Sequence, residues 1–294
     1  MGGDAIVVAR GLLYALALMP FGLAAFGLYS PAGSLSRSSG WIPYRGLLAG
    51  ATLAGVVVAV AALALLVAEM AGTTVAGIDA ETARFVVAET LPGKAGVVRI
   101  AMLGIGFAAS LFAPRRAALA VVVIATAVAV ATLAWNGHGA MTDGALRWLH
   151  LGADIAHLWA AGLWLGALAG LVLLVCRGAG LPGRIATTRR ALAQFAGVGT
   201  AIVVVLVATG IVNTLMIIGV DDLPGALGRP YARLLVVKLL AFGAMLGLAA
   251  LNRFRLTPRL ASGSLAALRL SLAVETASLL LILAIVARLG TMEP

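Results

Sequence analysis

The apolar residues of this chain come in long unbroken runs separated by short polar stretches. An α-helix needs about 20 apolar residues to cross a ~30 Å hydrocarbon core. Eight such runs recur, at roughly 8–29, 46–68, 95–113, 117–136, 148–175, 191–219, 233–252 and 265–288. The third is short and carries Arg99 near its start, which makes it the weakest of the eight. The pattern predicts an all-α polytopic membrane protein whose residues 1–294 form a single transmembrane domain. So little sequence lies outside the runs that neither a separate soluble domain nor a disordered tail is expected. The first run lacks a basic n-region and a small-x-small cleavage site, so it reads as a retained span.

One connection differs from the others. Asp79-Ala80-Glu81-Thr82 starts with an N-cap residue and an acid in the first turn, and Leu91-Pro92-Gly93 follows as a breaker. This predicts an outer-surface helix over 79–90, lying near the headgroups, with 72–93 acting either as a connector or as a lid. Two short stretches also resemble each other. Gly93-Lys94-Ala95-Gly96-Val97-Val98-Arg99 opens the third run, and Ala232-Arg233-Leu234-Leu235-Val236-Val237-Lys238 opens the seventh. Their placement is the one a parallel repeat of two four-span units requires.

Composition supports the membrane reading. Hydrophobic residues make up 62% of the chain and charged residues 11%, against about a quarter charged in soluble domains. The formal charge of +10 does not mark a nucleic-acid binder, because the basic residues are spread over the connections and form no single face. Connections one, three, five and seven hold eleven arginines, from Arg37 to Arg259, and no acidic residue. Connections two, four and six hold five basic residues against seven acidic ones. By the positive-inside rule the odd connections are cytoplasmic and both termini face outward. The single cysteine, Cys176, excludes an internal disulfide and any CxxC metal site.

Candidate chemistry is concentrated at the start of the fifth run. At about 100° per residue, Asp154 lies roughly 40° from His150, and His157 roughly 20° to the other side, so the three share a helix stripe. The third and last histidine, His138, sits just beyond the fourth run. Ionisable side chains inside spans cost roughly 2.5–3.5 kcal/mol on insertion scales and mark function by default. His138, His150, Asp154 and His157 therefore form the candidate metal-ligand set, all on the outer side. Met70, Met102, Met141 and Met216 map toward the same half as candidate additional ligands. Imidazole with carboxylate suits Cu(II) or zinc, and thioether suits Cu(I).

Asn213, Lys238 and Glu275 extend the polar positions inward as a candidate translocation path. Each has a plain alternative: Asn213 can bridge a helix pair, Lys238 can snorkel to the interface, and Glu275 can pair with Lys238, for which Asp154 competes. There is no HExxH, P-loop or GxSxG motif, and nothing in the sequence points to an enzyme. A membrane haem protein with histidine axial ligands is the alternative class, although His150 and His157 share one helix where facing helices are the rule. A non-transporting, metal-sensing membrane partner is a third.

Gly137-His138-Gly139, the run Ala153-Asp154-Ile155-Ala156-His157-Leu158-Trp159 through Trp164-Leu165-Gly166, and Gly228-Arg229-Pro230-Tyr231-Ala232-Arg233-Leu234-Leu235-Val236-Val237-Lys238, followed by Asn252-Arg253 and Pro258, resemble the CopD-type copper resistance membrane proteins. The resemblance covers 137–290; the first half agrees mainly in its span count. It implies an eight-span protein of the bacterial cytoplasmic membrane that moves or hands over copper. It also implies a small periplasmic CopC-type partner, which here would be a separate protein. Ala232 departs from the pattern, standing where glycine is frequent.

Overall fold

The computed structural model describes residues 2–30, 42–136, 144–177, 184–219, 228–259 and 265–293. Eight of its helices are long and apolar enough to cross a membrane. They are α1 (Gly2–Tyr29), α2 (Tyr44–Met70), α4 (Leu91–Ser110), α5 (Arg116–Ala131), α6 (Arg147–Arg177), α7 (Arg184–Ile218), α8 (Pro230–Leu251) and α9 (Leu265–Leu289). A ninth, α3 (Ala80–Glu89), is the short surface helix. Among the described residues there is no strand.

Helices α1, α4 and α7 begin before their apolar runs, α1 at Gly2 rather than 8. The third span begins at Leu91, not 95, because Thr90 caps it and Pro92 occupies the first turn, where a missing N–H costs nothing. Leu91-Pro92-Gly93 is thus the opening turn of α4. Thr90 also closes α3, its Oγ1 donating to Val86 O at 2.6 Å. At the other end of the molecule α7 starts at Arg184 rather than 191, since Arg189 and Arg190 continue the helix beyond its apolar run. Asp79 caps α3 as expected, accepting from Thr82 N at 2.8 Å and Thr82 Oγ1 at 2.7 Å. Those two bonds hold its carboxyl below the usual carboxylate range.

Arg99, the residue that weakens the third run, is 2% exposed. Its Nε donates to Thr132 Oγ1 at 3.0 Å and its Nη2 to Thr132 O at 2.9 Å, at the point where α5 tightens into a 3-10 turn over Thr132–Asn136. The guanidinium satisfies a helix-end carbonyl that hydrocarbon could not.

α1 lies at the centre, packed against α2, α5, α6 and α9. α1, α2, α4 and α5 form one quartet, with neighbours α1–α2, α2–α4, α4–α5 and α5–α1. In the second quartet α6 packs on α7 and on α9, and α8 packs on α9, but α7 and α8 stand apart along their length. Arg10 Nη1 donates to Gly290 O at 2.6 Å, so both chain ends lie at the same face of the bundle. Below, this face is the termini end and the opposite one the basic end.

Glycine permits the α1–α6 crossing. A Cβ on Gly166 would overlap the backbone of Gly22 and Leu23, and a Cβ on Gly22 would overlap Gly162 O. Backbone approach of this kind is the packing mode that membrane helices rely on, because lipid offers no hydrophobic drive. Outward faces are apolar, as at Leu240, Ile124 and Val204, which suits lipid contact.

Candidate functional site

The stripe read from α6 turns inward at the termini end. His150, Asp154 and His157 all line one cavity of about 150 Å³, together with Arg10, Asn213 and Lys238. α6 is fixed against α1 by the glycine crossing and against α5 by Trp159, whose Nε1 donates to Ala127 O at 2.9 Å. Asn213 comes from α7 and Lys238 from α8, the two helices that flank the gap in the second quartet.

Local bonding sets what each group offers. Thr209 Oγ1 donates its one hydrogen to Val205 O at 2.6 Å. The 2.9 Å contact between Thr209 Oγ1 and His157 Nδ1 must then run from the ring N–H to the hydroxyl oxygen. This leaves the lone pair of His157 on Nε2, the atom a metal ion would use. Asn213 Nδ2 donates to Asp154 Oδ1 at 3.4 Å, while Asn213 Oδ1 is buried with no hydrogen-bond partner. An orphaned buried acceptor beside a carboxylate and an imidazole lone pair is an environment for a cation. Lys238 and Arg10, which share the cavity with Asp154, are the cations the protein itself supplies.

Among the described residues, no three His, Cys, Asp or Glu side chains stand close enough to hold a metal ion together. His138 and Met141 lie outside the described residues. Met70 is half exposed at the end of α2, Met102 packs against the core from α4, and neither they nor Met216 line the cavity. Both described histidines sit on α6, so no pair from facing helices brackets a haem among the described residues.

Glu275 is not paired with Lys238. It is 2% exposed, and its Oε1 accepts from Trp164 Nε1 at 3.1 Å and its Oε2 from Asn252 Nδ2 at 3.0 Å. It lines a different cavity, of about 190 Å³, toward the basic end, with Asn252, Arg253 and Thr200. Between the two lies an apolar chamber of about 430 Å³, bounded by α6, α7, α8 and α9. His157 and Lys238 border both the termini-end cavity and the chamber, and Trp164 borders both the chamber and the basic-end cavity. His157 and Trp164 are seven residues apart on one face of α6, so a single helix stripe faces all three spaces. Sequence reading cited Trp164 only as part of the family motif and passed over Thr209. A tryptophan two turns beyond a histidine on the same stripe was the available signal for the first; Thr209, on another helix, left none.

Comparison with known proteins agrees with the motifs. A family model described as copper resistance protein D-like, N-terminal domain, matches residues 1–148, and one described as copper resistance protein D matches 189–289. The likeness therefore extends through the first half as well as 137–290. Copper resistance protein D of Pseudomonas syringae pv. tomato is 36% identical over 305 residues, covering 98% of this chain and 96% of the relative. No solved structure matches.

Proposed function

The chain belongs to the copper resistance protein D family, and from that membership we propose that it is a copper carrier, not an enzyme. In this reading it sits in the bacterial cytoplasmic membrane with its termini end facing the periplasm. The basic connections at the opposite end support that orientation through the positive-inside rule. Copper arrives from the periplasmic side, handed over by a separate CopC-type protein, and uptake or supply is favoured over efflux. The observation that carries the reading is the termini-end cavity, which gathers the Asp154 carboxylate, His150, the Nε2 lone pair of His157 and the unpartnered Asn213 Oδ1.

An open arrangement suits a carrier better than a closed cage would. Conduction needs binding strong enough to admit the ion and weak enough to release it. Lys238 holds the place of the cargo: an arriving copper ion takes over Asp154, so no carboxylate is left bare in either state. Onward movement runs from His157 and Lys238 through the chamber, past Trp164, to the basic-end cavity. The nitrogen and oxygen donors favour a borderline ion such as Cu(II) at capture.

The test is copper flux in sealed right-side-out vesicles carrying equal amounts of parent or variant protein. A His150→Ala, Asp154→Asn, His157→Ala triple variant should lose at least about tenfold in flux at limiting copper, since each lost charge-assisted contact is worth roughly 1.5–3 kcal/mol. An impermeant chelator outside should stop parental flux. Parental flux in the triple variant, or indifference to the chelator, would remove the cavity from the route.

A further inference from the structure

We infer that Glu275 and Asn252 form a proton-binding site at the basic-end cavity, distinct from the copper-capturing cavity, which couples proton movement to copper passage.

The site is built where α8 changes its geometry. After Leu251 the helix widens into a π-turn over Asn252–Leu256. Such turns are rare and occur mostly at functional sites, because the added residue rotates the side chains that follow. The rotation leaves Asn252 only 6% exposed and facing Glu275 of α9. Asn252 Nδ2 donates to one carboxylate oxygen and Trp164 Nε1 to the other, yet Asn252 Oδ1 is buried with no partner. Ser271 Oγ, one turn earlier on α9, is likewise buried without one.

The orphaned acceptor has a use once Glu275 carries a proton. Trp164 can only donate, so the acidic hydrogen belongs on Oε2, the oxygen facing Asn252. There it meets Nδ2–H, another donor. Rotating the Asn252 amide by about 180° brings Oδ1 round to accept the new O–H, while Trp164 goes on donating to Oε1. One side-chain rotation thus keeps Glu275 hydrogen-bonded in both protonation states. A carboxylate kept for packing alone would need only the two donors and no spare acceptor.

The donors already on the carboxylate suit a proton at this point, and among the described residues no imidazole or second carboxylate lines the cavity to complete a metal site. The indole N–H and the amide NH₂ present hydrogens to the carboxylate, and neither nitrogen has a lone pair for a metal. A proton on Oε2 needs only the Asn252 amide to rotate, while Trp164 keeps its bond to Oε1. The step balances as a simple transfer, from hydronium in the basic-end cavity to Glu275 Oε2, leaving water.

The charged surroundings are sparse. Arg253, on the π-turn, is the charged side chain that lines the cavity with Glu275, and its Nη1 donates to Thr200 Oγ1 and Ala196 O. α6 contributes Trp164, and α7 contributes Phe195 and Thr200. Arg269 on α9 itself is turned to Val175 O. From α1, Arg10 is engaged at the termini end with Gly290, and Lys238 of α8 borders the other two spaces.

Coupling rests on the copper-carrier reading; proton binding does not, and the experiment separates them. Full-length protein in proteoliposomes is followed by infrared difference spectroscopy between acid and neutral pH. The parent should show a protonated-carboxyl C=O band that Glu275→Gln lacks. Asn252→Leu, which keeps the carboxyl but removes its charge-stabilising donor, should hold that band at neutral pH. The second measurement is copper flux under an imposed pH gradient. A one-unit gradient can support about a tenfold copper ratio per coupled proton, and Glu275→Gln should show the same flux with and without it while binding copper as the parent does. A pH-dependent band that survives Glu275→Gln, or an Asn252→Leu protein that titrates like the parent, would overturn the site. A gradient response that survives Glu275→Gln would overturn the coupling. A parent with the band but no copper flux would leave the proton site standing and remove the carrier reading instead.

Discussion

Gly166→Ala tests the contact on which the termini-end cavity depends. The new Cβ would overlap two backbone groups of α1, the Gly22 carbonyl carbon and the Leu23 amide nitrogen, where ordinary contact begins at 3.4 Å. Neither can move without its helix, so α1 and α6 must separate by roughly 1 Å or more along a buried seam. Overpacking of this kind costs about 1–3 kcal/mol, with backbone clashes toward the upper end. Alanine returns about 1 kcal/mol of helix propensity, so the net loss is about 2 kcal/mol. The internal control is Gly104→Ala or Gly152→Ala: neither meets another atom within 4 Å, so each keeps the propensity gain without the clash. For a chain of this size 1 kcal/mol shifts Tm by about 2–4 °C. Purified Gly166→Ala should therefore melt about 4–8 °C below the parent, with the controls at or slightly above it. Melting of Gly166→Ala together with the controls would refute the glycine-mediated crossing, and with it the placement of His150, Asp154 and His157 relative to α1.

Thr209→Val removes the acceptor that places the His157 proton on Nδ1. The ring is then free to carry its proton on Nε2, and on the proposed carrier reading copper affinity at the termini-end cavity should fall by about 10–100-fold, the usual effect of losing such a supporting partner; chelator competition reads this, and unchanged affinity would mean the Thr209 contact does not set the tautomer. Asp79→Ala removes the N-cap of α3. Because its bonds hold the Asp79 carboxyl below its ordinary range, the stabilisation it gives is present at neutral pH and is lost as pH falls through that lowered value. Amide exchange at residues 82–85 should accelerate in the variant at neutral pH, and should accelerate in the parent only under acid conditions.

Much of this architecture was legible in the one-dimensional pattern, because a bilayer imposes a length and a polarity on every crossing segment regardless of its neighbours. The eight runs, the basic odd connections and the Asp79 cap each follow from forces acting within a few residues. The shared stripe of His150, Asp154 and His157 follows from helix geometry alone, and the Gly137–Gly139 and Asp154–Gly166 motifs indicated the family. Helix ends were read less well where capping or charge extended a helix past its apolar run, as at Leu91 and Arg184.

What depended on contacts between helices had to come from the tertiary structure. Glu275 and Lys238 are opposite charges at apparently compatible depths, yet depth along a helix does not say which way a side chain turns. Glu275 meets Trp164 and Asn252, and Lys238 opens onto the cavity of Asp154. The four methionines share a membrane half in sequence, but the three that are described face elsewhere than that cavity. The tautomer of His157 is set by a hydroxyl 52 residues away. The gap between α7 and α8 that opens the chamber reflects packing against α6 and α9, to which either helix's own periodicity is blind. Chain-local physics decides which segments enter the membrane. Which polar groups then meet inside it is decided by how closely the helices approach, and in this protein that approach turns on the backbone contact between Gly22 and Gly166.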